Sequence, residues 1–229
     1  MRLSSPPPTI HPLPKFLTLA ILVFLGIPRS CPAQELTAVK GEDRIDVAID
    51  GELFTSYRHP SDWKFPYLYP LIGPYTGKTI TIEKGVGHPH HRSLYFAIDK
   101  VNGGNYWQEG LERGRMVSQG PKVVETGDRV VITDVCDWER DGAPSPVRDY
   151  RRVSIEARSH SIRTIQFDIE VEFKIDTEVL PSNHALFSTE VLPELSAQFA
   201  GKIVDAEGNV DELETFGVKS VWCDYFGER

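Results

Sequence analysis

The sequence predicts an all-β fold, an antiparallel β-sandwich, and three observations carry that prediction. The segment "TIQFDIEVEFKID" (164–176) alternates without a fault: Ile165, Phe167, Ile169, Val171, Phe173 and Ile175 fall on one side, and charged or polar residues on the other. A period of two over that length describes a long strand with one covered face and one wet face, as in an antiparallel sheet. Pairs such as Asp50-Gly51 and Gly127-Asp128 separate further alternating runs, and such pairs suit the positive-φ positions of tight hairpin turns. No window of helical length carries an apolar stripe of period 3.6.

In chain order, residues 1–33 read as a secretory signal. Arg2 and Lys15 are the only formal charges before Arg29, and "FLTLAILVFLGI" (16–27) is an unbroken apolar run. It is short for a span, which needs about 20 residues. Small residues at Cys31 and Ala33 suit cleavage before Gln34. This places the protein outside the cytoplasm, secreted or periplasmic, with 34–229 as a single sandwich domain and no integral membrane domain beyond the signal. Ile45, Val47 and Ile49 then alternate and turn at Asp50-Gly51 into "ELFTSYR". Ile80 and Ile82 suggest a strand, and Leu94, Phe96 and Ile98 another. "RMVSQGPKVVET" and "RVVITDVCDWE" flank Gly127-Asp128, and "DYRRVSIEA" and "IRTIQFDIEVEF" flank "RSHS".

Composition bounds the function. The 229 residues are 40% hydrophobic and 25% charged, ordinary for a globular chain with a real core. The net charge is -8 and the basic residues are dispersed, which excludes a nucleic-acid partner of the usual basic-faced kind. With Cys31 removed, Cys136 and Cys223 remain. In an oxidising compartment they either pair or stay as separate thiols, and both readings stand. No C-x-x-C spacing supports a zinc–thiolate site, and no cofactor is identified.

The candidate site starts at "GHPHHRSLYFAIDKVNGGNYW" (87–107), with His88, His90, His91 and Arg92 inside five residues. If the strand alternation runs back from Leu94, then His88, His90 and Arg92 share its face, and His91 lies opposite with Ser93 and Tyr95; Pro89 weakens regular pairing there. Histidine serves as acid or base near neutral pH, and two histidines one residue apart can ligate a metal. Arginine's planar fork suits a carboxylate, a phosphate or paired sugar hydroxyls. Equally, such a stretch forms surface turns whose imidazoles bond to backbone. Trp107 and Glu109 follow closely, an aromatic face and a carboxylate of the kind that hold a sugar ring and exchange its protons; each is also an ordinary core or surface residue type. "FPYLYPLIGPYTGK" (65–78) either lines a cleft or forms a rigid edge. "HALFSTEV" puts His184, Ser188 and Glu190 on alternating positions, sharing one face if that stretch is a strand.

Four stretches in order, "YLYPLIGPYTGKTIT", "GHPHHRSLYFAIDKVNGGNYW", "HALFSTEVLPEL" and "ETFGVKSVWCDYFGER", resemble the motifs of a bacterial family of unknown function labelled "methane oxygenase PmoA". Its members are often exported by bacteria that degrade complex carbohydrates. The resemblance implies a soluble β-sandwich similar to the galactose-mutarotase type, in which histidines and a glutamate act on a sugar ring. Family members continue past the W-C-D-Y segment into a block with F-D-H-P-x-N-P and a later W-H. Measured against that pattern this chain is expected to lack closing strands and a further histidine.

The leading expectation is an exported carbohydrate-active protein, an enzyme or the remnant of one, taking a small-molecule or glycan ligand. His90 is the expected acid or base, with His88 beside it and Glu109 or Glu190 as the carboxylate. His91, Arg92, Trp107 and His184 are expected to bind substrate. Two alternatives remain: a non-catalytic glycan- or protein-binding module, and a metal enzyme, the oxygenase of the label or a hydrolase, with His88 and His90 as ligands.

Overall fold

A computed structural model describes residues 34–85, 87–108, 110–182, 184 and 186–228. The chain divides into two units, Met1–Pro32 and Ala33–Arg229, and every described residue belongs to the second. The expected signal segment, 1–33, lies outside the described residues.

The strands in the first half are β1 (Leu36–Lys40), β2 (Arg44–Ile49), β3 (Glu52–Arg58), β4 (Tyr67–Leu68), β5 (Leu94–Phe96), β6 (Lys100–Val101) and β7 (Gly104–Asn105). They are followed by β8 (Arg115–Ser118), β9 (Lys122–Glu125), β10 (Arg129–Glu139), β11 (Val147–Ser159), β12 (Ile162–Phe173), β13 (Phe187–Thr189), β14 (Lys202–Asp205) and β15 (Cys223–Phe226). Among the described residues the α-helix is a short one, α1, over Asp211–Thr215. One large sheet has the order β1-β2-β3-β4-β5-β13 and a second runs β12-β11-β10-β8, with β9 also on β10; β6-β7 and β14-β15 form two small two-stranded sheets. Every strand pairing is antiparallel, so the chain is the all-β sandwich that its alternation predicts.

The hairpins follow the turn chemistry. Asp50 and Gly51 both adopt positive φ, 52° and 85°, between β2 and β3, the geometry that lets a two-residue turn follow the twist of the strands. The predicted long strand is β12, paired along its length with β11. The run over Ile80 and Ile82 makes only isolated bridges, through Thr79 and Thr81, and Ile98 lies beyond the end of β5.

The core holds two apolar clusters, and the two large sheets meet across the first. In the first, Ile45, Val47, Phe54 and Leu94 of one sheet pack on Val130, Ile132, Val153 and Ile155 of the other. The second gathers Phe65, Tyr95, Tyr106 and Trp107 with Met116, Cys136, Trp138 and Val147. Each such side chain contributes roughly 1.5–3 kcal/mol by leaving water. A buried polar seam lies along the same strands. Tyr57 donates to Asp134 at 2.8 Å, and Arg151 pairs with Asp149 at 2.6 Å, with 2% and 0% of their side chains exposed. Cys136 is buried and Cys223 exposed, and both are free thiols. That decides between the two cysteine readings. No helix among the described residues is long and apolar enough to cross a membrane.

Candidate functional site

The site lies on the face of the six-stranded sheet that turns away from the second sheet. In β5, Leu94 packs in the inter-sheet core and Phe96 faces the Arg151 guanidinium, so Tyr95 between them points the other way. Phe65 stacks on Tyr95 with ring centroids 4.3 Å apart. Trp107 packs against the same Tyr95 at 5.1 Å.

The histidine stretch is a turn, not the extension of β5. The N–H of His91 donates to the carbonyl of His88 at 2.9 Å, which places Pro89 second in a four-residue turn, the position its fixed φ suits. The turn gathers all three imidazoles. His88 stacks on His91 with centroids 4.8 Å apart, and His90 meets His91 edge-on at 4.6 Å. His91 Nδ1 lies 3.0 Å from Glu190 Oε2, with about a quarter of each side chain exposed (25% and 24%). Gly85 is fitted to this packing. A Cβ there would lie 2.7 Å from the His88 carbonyl and 3.2 Å from Glu190 Oε1.

Arg92 has an internal place. Its guanidinium lies 3.2 Å from the centre of the Trp63 ring, and Nη1 donates to the carbonyls of Pro89 and His91, both at 2.9 Å. Arg92 is only 7% exposed, so it braces the turn from beneath, where the sequence suggested a contact with substrate.

A second histidine–carboxylate pair stands nearby. His184 Nδ1 lies 2.8 Å from Asp99 Oδ2, and Ser182 donates to the same oxygen at 2.7 Å. Burial raises the Asp99 carboxyl, but the hydrogen bonds from Ser182 and His184 outweigh it and leave it below the usual range. Trp107 joins the two pairs: His184 lies flat on its indole at 5.4 Å, and His91 meets it edge-on at 6.3 Å. The Asn105 side chain fixes the approach, accepting from the backbone N–H of Trp107 and of Gln108. Trp107 is 3% exposed. It is a packed wall that both imidazoles contact, not the open sugar platform that the sequence suggested.

The structure thus brings together His88, His90, His91, Glu190, Trp107 and His184. Glu109 lies outside the described residues. His184 precedes β13 rather than sitting on it. Asp99 was not anticipated, although the same period of two points to it: counting on from His91, Ser93 and Tyr95 reaches Ala97 and Asp99. Among the described residues, no group of three or more His, Cys, Asp or Glu side chains is arranged to hold a metal ion. Two buried polar atoms here, Asp99 Oδ1 and Trp107 Nε1, have no hydrogen-bond partner among the described residues.

No curated protein and no solved structure matches the chain. A family model does, over residues 44–229, and it covers both large sheets apart from β1 and every described residue of the site. The chain belongs to that family, the family of unknown function DUF6807.

Proposed function

We propose that this is an exported carbohydrate-active enzyme that moves protons on a sugar ring through paired histidine–carboxylate dyads. The observation that carries the reading is the pair His91–Glu190 and His184–Asp99, both in contact with Trp107 by way of their imidazoles. A carboxylate on Nδ1 fixes the tautomer and makes Nε2 the nitrogen that gives or takes a proton. Two such groups suit ring opening: one accepts the proton of the anomeric hydroxyl and the other donates to the ring oxygen as the C1–O5 bond breaks. Reclosure on the other face, with the proton movements reversed, interconverts the anomers. His88 and His90 border His91 and tune its surroundings.

Exchange NMR on a panel of free aldoses with the purified protein tests this. The expected result is anomer interconversion faster than in buffer by about a hundredfold or more, the usual yield of placed acid–base groups. No acceleration and no binding across the panel would sink the reading.

A further inference from the structure

The His184–Asp99 pair borders a cavity of about 460 Å³ whose other lining groups include Lys100, Arg113, Asn105 and Gln108. In a chain of net charge -8 this combination is out of character. Lys100 and Arg113 are both exposed, and neither forms an ion pair among the described residues. The one described carboxylate lining the cavity is Asp99, 3% exposed. Its Oδ2 is taken by Ser182 and His184, and its Oδ1 has no partner among the described residues. The walls therefore offer the His184 imidazole for a hydroxyl, two cations for an anion, and the amides of Asn105 and Gln108.

The geometry points to a carboxylate-bearing sugar, a uronate, as the ligand class of this cavity. The inference rests on the proposed acid–base reading and adds the charge of the substrate. The hydroxyls of the sugar face His184, which Asp99 holds from behind, and its carboxylate faces Lys100 and Arg113. A guanidinium suits a carboxylate by its paired donors, and an ammonium adds a second point charge. A neutral sugar of the same configuration leaves both cations to solvent and loses that part of the affinity.

The test compares D-galacturonate with D-galactose, and D-glucuronate with D-glucose, by calorimetric titration against the intact protein. The acid of at least one pair is expected to bind roughly tenfold more tightly than its neutral counterpart, the combined scale of two partly exposed charge contacts. That preference is expected to shrink as salt rises from 50 to about 500 mM. Lys100→Gln and Arg113→Gln together are expected to abolish it while leaving the melting temperature unchanged. Both residues are exposed, and the salt series on the unaltered protein needs no variant. Equal binding of acid and neutral sugar overturns the uronate inference and leaves the acid–base reading in place. Failure of all four sugars to bind overturns both.

Discussion

His184 lies flat against the indole of Trp107, with ring centroids 5.4 Å apart and planes 10° from parallel. The contact ties a loop residue that precedes β13 to the loop that follows β7, and sets the imidazole at hydrogen-bond distance from Asp99. Trp107 is thereby both core and scaffold. Trp107→Ala is expected to cost about 3–5 kcal/mol, the usual range for emptying a buried aromatic site. For a chain of this size that lowers the melting temperature by about 6–20 °C. Trp107→Phe keeps an aromatic face and is expected to lose less, while shifting the His184 ring resonances in NMR.

Asp99 gives the pair a defined acid limit. Its folded carboxyl titrates below the ordinary value of 3.8. The stabilisation it supplies is therefore fully present above pH 3.8 and is lost as the pH falls through the lower folded value. Asp99→Asn is expected to reduce stability at pH 7 by about 1–2 kcal/mol, because hydrogen bonds to a charged acceptor are replaced by weaker ones. The difference between the two proteins is expected to close as the pH falls below about 4. Denaturant melts at pH 7, 5 and 3 measure it, and a constant difference across that range would refute the assignment.

His91 and Glu190 separate function from stability. Each keeps about a quarter of its side chain exposed, 25% and 24%, and partly solvated pairs contribute at most about 1 kcal/mol. His91→Asn and Glu190→Gln are expected to move the melting temperature by no more than about 4 °C. They are expected to lower the proposed sugar activity by about a hundred- to ten-thousand-fold. A large loss of stability with unchanged activity would make this pair a structural strut.

The sandwich was legible because strands announce themselves through alternation and turn residues. Ile165 to Val171 and the Asp50-Gly51 turn needed only local chemistry. β12 still has a feature its pattern hid: Phe173 is 57% exposed, so apolar alternation set the face of the strand but not how fully it is covered. In the site, the histidine cluster was visible, yet counting back from Leu94 placed it on the wrong geometry. Pro89 turns the chain at that point, and the turn lets all three imidazoles meet. The other dyad was harder to see. Asp99 follows His91 at an even spacing along the chain, but His184 reaches it across 85 residues. Its placement depends on antiparallel pairing of β13 with β5, Phe187 opposite Phe96, a register no local pattern specifies. Arg92 and Trp107 were chosen for chemistry they have in the abstract, and burial gave both a supporting place.

Lys64 shows how the Trp107 loop is held, and offers the sharpest stability test. It stands between Trp63, beneath Arg92, and Phe65, which stacks on Tyr95. Only 2% of Lys64 is exposed. Its ammonium donates to the carbonyls of Asn105, at 2.8 Å, Gly110, at 2.9 Å, and Gly114, which bracket Trp107 in sequence. Lys64→Met fills similar volume but leaves three carbonyls without that donor, and is expected to cost about 3 kcal/mol, a melting temperature lower by roughly 6–12 °C. Faster amide hydrogen exchange is expected over 105–114. Burial also pulls the Lys64 ammonium down to about 8, from 10.5 in the unfolded chain. Between those values the unfolded state holds more protons, so this group makes the folded protein more stable as pH rises from 8 to 10.5. Lys64→Met is expected to remove that slope, whereas Lys78→Met, at an exposed lysine, is expected to keep it. Equal slopes in both variants, with equal exchange over 105–114, would show that the loop holds itself.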